Sequence, residues 1–159
     1  MPDSPSQADT PAPSALLQLG WREWLSLPAL GIAAIRAKVD SGARSSALHV
    51  DRLDTWIADG QEWVGFSLDP DGVGAPALCQ AQVIDRRPVT DSGGHTGERI
   101  FIRTELLVAG RSLSIELNLT SRRNMLFPML LGRTAMAGHC LVDPSASFLL
   151  GTPPLQPPR

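Results

Sequence analysis

Apolar Leu113, Ile115, Leu117 and Leu119 alternate with polar Ser112, Ser114, Glu116, Asn118 and Thr120. A period of two puts one set on a single face, the signature of a half-buried strand. Ile100–Val108, just before it, is rich in β-favouring residues, and Ala109-Gly110 supplies a turn, so the two stretches are predicted to form a hairpin. A second hairpin is predicted from Leu53–Ile57 to Trp63–Leu68 through Asp59-Gly60, a pair that tolerates positive φ. Further strands are predicted at Trp21–Leu27, Ile35–Val39 and Ala77–Ile84, and one short helix at Arg133–Ala137. Many short strands joined by glycine-containing turns point to an all-β barrel or sandwich.

Between Ile84 and Ile100 the chain turns polar and glycine-rich, with Ser92, Gly93 and Gly94 at its centre. Two readings stand side by side: a mobile hairpin tip, or a flap closing over a site.

Composition narrows the picture. A chain of 159 residues is one ordinary domain. Of its fourteen prolines, eight lie in the two ends: Pro2, Pro5, Pro11, Pro13, Pro153, Pro154, Pro157 and Pro158. Residues 1–15 and 152–159 are therefore expected to be poorly ordered, leaving 16–151 as the folded domain. A net charge of −2 gives no broad electrostatic footprint for nucleic acid or an anionic membrane. The only lysine, Lys38, follows Ala37, so the G-x-x-x-x-G-K-[ST] phosphate loop is absent. The head lacks the regions of a signal peptide, and the apolar runs are short of the ~20 residues that span a bilayer. A soluble, cytoplasmic protein is expected. Cys79 and Cys140 show no C-x-x-C spacing and are expected to be buried thiols rather than a disulfide.

Candidate chemistry begins at Asp40-Ser41-Gly42, where a predicted strand ends in an acid followed by a small hydroxyl residue and a glycine. Such a turn can hold a carboxylate in one orientation, as acid–base catalysis requires, although the tripeptide alone is also an ordinary turn. A second copy, Asp91-Ser92-Gly93, lacks a buried apolar strand before it and reads as part of the flap tip. His49, His95, His139, Cys79 and Cys140 are available as metal ligands, but no H-E-x-x-H or paired C-x-x-C places them together. Gly72–Ala77 mimics a dinucleotide fingerprint, but Pro76 and the lack of a following helix remove it.

The apolar run Phe127-Pro128-Met129-Leu130-Leu131, ending in Gly132-Arg133, follows the first acid by 92 residues. Asp-Ser-Gly-Ala followed by two apolar residues and Gly-Arg resembles the retropepsin-like aspartic peptidases. The segments 20–24, 37–49 and 124–133 resemble the RimB group in particular, with similarity over about residues 18–151. The resemblance implies a closed β-barrel with one short helix, a symmetric homodimer, and peptide hydrolysis by a shared pair of Asp40 carboxylates, with Ser41 and Gly42 shaping the turn. It implies no cofactor for that chemistry, although members often carry the label "ATP-dependent zinc protease". It also implies a functional link to the ATP-grasp glutamate ligase RimK, with oligoglutamate tails of a ribosomal protein as substrate. Lys38, Ala43, Arg44, His49 and Arg133 are the candidate substrate-side residues, and Ser92, Gly93 and Gly94 the flap. A non-catalytic dimeric binding module remains the alternative, since this fold also serves in adaptors.

One departure bears on the site. Many viral retropepsins place an acid where this chain has Arg44, and that acid pairs with the arginine of the Gly-Arg motif. Here either Arg133 finds another partner or Arg44 turns outward toward substrate. Arg86, Arg87 and Arg99 are candidates for adding positive potential around the flap, unless they pair with acids such as Asp85 or Glu98. The apolar stretch Cys140–Leu150 is the candidate for pairing between copies.

Overall fold

The computed structural model describes residues 16–70, 76–91, 93–121 and 126–151. The period-two segment forms β10 (Arg111–Ser121), paired antiparallel with β9 (Thr96–Val108) through the predicted turn, where Ala109 has φ 50° and Gly110 φ 78°. Ile115, Leu117 and Leu119 are buried as the alternation requires. The second hairpin joins β5 (Arg52–Ala58) to β6 (Gln61–Leu68) through Asp59 at φ 54° and Gly60 at φ 77°. β7 (Ala77–Gln82) completes this three-stranded sheet and ends two residues before the predicted Ile84.

The main sheet is built around β3. β2 (Arg22–Leu27) runs antiparallel to β3 (Ile32–Val39), and β11 (Met129–Leu131) lies parallel to β3 on its other side. β11 is antiparallel to β4 (Ser46–Val50), which in turn runs parallel to β10. One ladder pair, Ser26 with Leu107, links β2 to β9 beside a register shift in β2. Because β9 also pairs with β10, the succession β10-β4-β11-β3-β2-β9 returns to its start. Leu25, Leu27, Ile35, Leu48, Ile102 and Leu117 fill the core enclosed by these strands. β4 and β11 were absent from the predicted elements. β4 is buried throughout and β11 nearly so, which leaves no alternating pattern to read.

The polar stretch after Ile84 is not simply a loop. Its first part is β8 (Asp85–Thr90), an edge strand on β9 in which Pro88 costs no ladder bond on the outer side. The helix is α1 (Arg133–Met136), one residue shorter than predicted.

Part of Cys140–Leu150, the candidate for pairing between copies, is engaged within its own chain. β12 (Cys140–Val142) pairs in parallel with β1 (Leu17–Leu19) of the same chain. Phe148 stacks on Trp24 at 6.5 Å, and Leu149 and Leu150 donate their N–H groups to the fully buried Glu23 at 2.9 and 3.0 Å. A buried carboxylate needs such donors, and Glu23 thereby pins the end of the domain to β2. Leu141 stays more than half exposed.

Cys79 and Cys140 are free thiols, Cys79 buried and Cys140 half-buried. Among the described residues no helix is long and apolar enough to cross a membrane. Residues 1–15, 152–159 and the dinucleotide-like 72–75 lie outside the described residues.

Candidate active site

β3 delivers Asp40 to its turn from a frame fixed on both sides. Val39 N–H donates to the O of Trp21, just before β2, at 2.8 Å, and Asp40 N–H donates to Leu131 O of β11 at 2.9 Å. The Asp40 side chain then folds over its own turn: Oδ1 accepts the Gly42 N–H at 2.9 Å, and the backbone carbonyl accepts Ala43 N–H at 3.2 Å. Asp40 is half-buried, while Ser41 and Gly42 are exposed. One carboxylate oxygen is thus committed to orientation at the rim of the fold, which is what acid–base work demands of a carboxylate.

The Gly-Arg segment packs directly against this turn. A Cβ at Gly132 would sit 2.5 Å from the Ser45 backbone, so only glycine allows the approach. The Gly132 N–H donates to Ser46 Oγ at 2.9 Å, and Arg133 N–H to Ala43 O at 2.7 Å. Thr134 donates both its N–H and its hydroxyl to Arg44 O, at 3.1 and 2.9 Å. The start of α1 therefore holds residues 43–46 from outside while β11 holds Asp40 from inside. Sequence reasoning missed Ser46 and Thr134 in this frame. Their signal was only a hydroxyl residue beside each motif.

The question raised by Arg44 is answered by a carbonyl rather than an acid. Arg133 Nη1 donates to Ser41 O at 3.1 Å, and the Arg44 side chain is exposed. Lys38 is exposed near the end of β3 and Ala43 is half-buried. His49 lies deeper than these, 4% exposed within β4, with its backbone N–H donating to Pro128 O. Beside the turn an open pocket of about 300 Å³ is lined by Ser41, Arg133, Met136, Ala137, Leu141 and Val142.

The second Asp-Ser-Gly caps the β8–β9 hairpin. Asp91 Oδ1 accepts the N–H groups of Gly93 and His95, both at 2.9 Å, and Gly94 adopts φ 85°. These bonds, that of His95 foremost, hold the Asp91 carboxyl below its ordinary range. Ser92 lies outside the described residues. Gly93 and Gly94 are exposed at the tip.

The cations at the base of this hairpin are largely matched. Arg86 pairs with Glu62 and, at 3.7 Å, with Glu98. Arg87 pairs with Asp85 at 2.7 Å and with Glu116 at 2.9 Å, and Arg103 also meets Glu116. The Arg86 guanidinium lowers the Glu62 carboxyl, and that of Arg87 lowers Asp85 and Glu116. Arg86 and Arg87 are thus not the unbalanced source of positive potential considered above. Arg99 donates to Asn118 Oδ1 at 3.2 Å.

The candidate zinc ligands are scattered. His49 is in β4, His95 at the hairpin tip, His139 after α1, Cys79 in β7 and Cys140 in β12. Burial pushes the Cys79 thiol up to about 11, away from the thiolate a metal binds. Among the described residues no three His, Cys, Asp or Glu come together in a group that could hold a metal ion.

Residues 18–153 match the RimB-like family, that of the retropepsin-like aspartic endopeptidase RimB. The chain belongs to the RimB-like family. Both the Asp40 turn and the Gly132-Arg133 segment lie within the match. Curated relatives include the probable alpha-L-glutamate ligases of Shewanella pealeana, 42% identical over 84% of this chain and 30% of that one, and of Desulfotalea psychrophila, 42% identical over 84% and 29%. The RimB-like chain spans less than a third of the length of these relatives. A crystal structure of a Legionella pneumophila protein of unknown function aligns with a TM-score of 0.70 at 22% identity, covering 84% of this chain and 98% of that one, and so shares its fold.

Proposed function

We propose that this chain is an aspartic peptidase domain that acts as a symmetric homodimer, with Asp40 from each copy forming the catalytic pair. The observation that carries the reading is the cage around Asp40, a carboxylate aimed by its own turn and clamped by a segment 92 residues further along the chain. One such turn supplies one acid, and a two-fold axis supplies the second. The returning strand order is read as a closed barrel. The exposed Leu141 and the outer edge of β12, beside the pocket next to Asp40, are the surfaces assigned to the partner.

In that dimer the two carboxylates share one proton. The ionised Asp40 takes a proton from water as the water oxygen bonds to the peptide carbonyl carbon, and the protonated Asp40 gives its proton to the carbonyl oxygen. The tetrahedral diol then returns a hydroxyl proton to one carboxylate while the amide nitrogen receives a proton from the other. The C–N bond breaks and leaves a carboxylic acid and an amine. Ser41 and Gly42 hold the turn, and Arg133 braces it at the Ser41 carbonyl.

The substrate assigned is an acidic, oligoglutamate-like tail, with a functional link to glutamate ligation. Two features support it: exposed Lys38 and Arg44 flank the Asp40 turn, and the matching relatives are named glutamate ligases. The test is cleavage of oligoglutamate, neutral and basic peptides of equal length at low and high salt, with sedimentation of the same samples. Preferential, salt-sensitive cleavage of the acidic peptide by a dimer is expected, weakened in Arg44→Ala. Equal cleavage of all three peptides would remove the substrate reading. An active strict monomer would remove the dimer.

A further inference from the structure

Two buried polar side chains, Ser46 and Asn118, are not used by the chemistry above. A buried amide or hydroxyl without partners costs free energy, so each persists where its bonds are met. Asn118, 2% exposed on β10, satisfies both ends of its amide. Its Nδ2 donates to Ser46 O at 3.1 Å, and its Oδ1 accepts from Arg99 Nη1 at 3.2 Å. Arg99 stands on β9, the strand that returns from the hairpin tip. Ser46, fully buried, uses its other polar atom toward the site: its Oγ accepts the Gly132 N–H at 2.9 Å. The residue before Gly132 accepts the Asp40 N–H through Leu131 O, at 2.9 Å.

We infer that Asn118 is a positioning residue that ties the hairpin strand β9, through Ser46 and Gly132, to the frame that aims Asp40. A polar path runs from Arg99 to Asn118, to Ser46, and across Gly132 and Leu131 to the Asp40 backbone. It passes between strands that the ladders also hold: Asn118 sits beside Ala47 of β4 and opposite Phe101 of β9. A displacement of the hairpin at Arg99 therefore meets resistance at the catalytic turn, and a distortion of the turn is felt at the hairpin. Leucine at 118 would fill similar space but leave Ser46 O and the Arg99 guanidinium without these bonds. The functional consequence rests on the peptidase reading, whereas the mechanical link does not.

The experiment combines site-resolved amide hydrogen exchange with cleavage kinetics on the full chain, its Arg99→Ala variant and its Asn118→Leu variant. Loss of the link should speed exchange at Gly132 and Asp40 about fivefold or more, leaving the β5–β6 amides unchanged. Cleavage should lose kcat with KM held within about twofold. The acid limb of the pH profile should also move, whereas a smaller folded fraction only scales the profile. Gly132 exchange equal to that of the parent, or a rise shared equally by the β5–β6 amides, overturns the inference. Should Asn118→Leu fail to fold, Arg99→Ala, cut at the outer end of the path, decides the matter alone. A parent chain that cleaves no peptide removes the peptidase reading, and the exchange measurement still settles the link.

Discussion

Asp-Ser-Gly occurs twice in this chain, and both copies make the same local bond, an aspartate Oδ1 accepting the N–H two residues on at 2.9 Å. Around Asp91 the bonding stays local: its carboxylate serves Gly93 and His95, its backbone pairs across the tip, and His95 is 86% exposed. Around Asp40 the bonds leave the turn for Leu131, and residues 43–46 are gripped by Gly132, Arg133 and Thr134. The tripeptide makes a turn. The long-range cage sets one of the two turns apart.

The largest expected effect tests the cage itself. Gly132→Ala would force a methyl against the Ser45 backbone at 2.5 Å, and overpacking where backbone must move costs about 1–3 kcal/mol or more. Thermal melts should show a clear loss of stability together with loss of activity. Gly93→Ala, by contrast, meets the end of the exposed His95 side chain at 3.3 Å, and its melting temperature should stay near that of the parent. Equal losses in both variants would erase the distinction between the two turns.

A smaller and more selective effect is expected at Gly42. An added Cβ would lie 3.2 Å from Asp40 Oδ1, tight enough to displace the carboxylate by a few tenths of an ångström. Misplacing a catalytic group carries large penalties, so kcat should fall about tenfold or more while the melting temperature changes little. Unchanged kcat would mean that the Asp40 orientation is not what the chemistry uses.

Acid should separate the regions more gently. Glu62, Asp85 and Glu116 are held below their ordinary range by Arg86 and Arg87, and Asp91 by the N–H groups it accepts. A depressed folded value means stability that is present above the unfolded carboxylate range, near pH 4, and lost as pH falls through the lower folded values. Amide exchange in β8 should therefore rise below about pH 4, ahead of exchange at Leu131 and Gly132. Loss of both regions at one pH would contradict a hairpin base held by charge. These pairs are surface-exposed, and high salt should shrink the difference.

The two hairpins were legible because Asp59-Gly60 and Ala109-Gly110 satisfy local backbone demands that a sequence displays. The buried β4 and β11 carry no alternation, and the parallel pairings they make join residues some 70–90 positions apart, beyond any local signal. β8 was hidden by its polarity, since its strand character comes from the β9 ladder and from charge pairs with Glu62 and Glu116. At the candidate site, Asp40 and Gly132-Arg133 could be found because their motifs resemble those of a known family. Ser46, Thr134 and Asn118 could not, because a hydroxyl or amide in a strand looks like surface until its partners are in place. Arg133 resting on a carbonyl likewise needed the fold, as sequence pairs charges only with charges.

The most direct measurement places Asp40→Asn and Asp91→Asn side by side in one peptide-cleavage assay, with sedimentation and melting curves for each. Both substitutions preserve side-chain size and leave an oxygen for the turn. The account predicts that Asp40→Asn loses cleavage by about a thousandfold or more while remaining a folded dimer, because the ionisable group is gone. Asp91→Asn should keep the chemistry, with changes of at most about tenfold arising from the hairpin's closure over substrate. Full cleavage by folded Asp40→Asn, or an equally complete loss in Asp91→Asn, would contradict it.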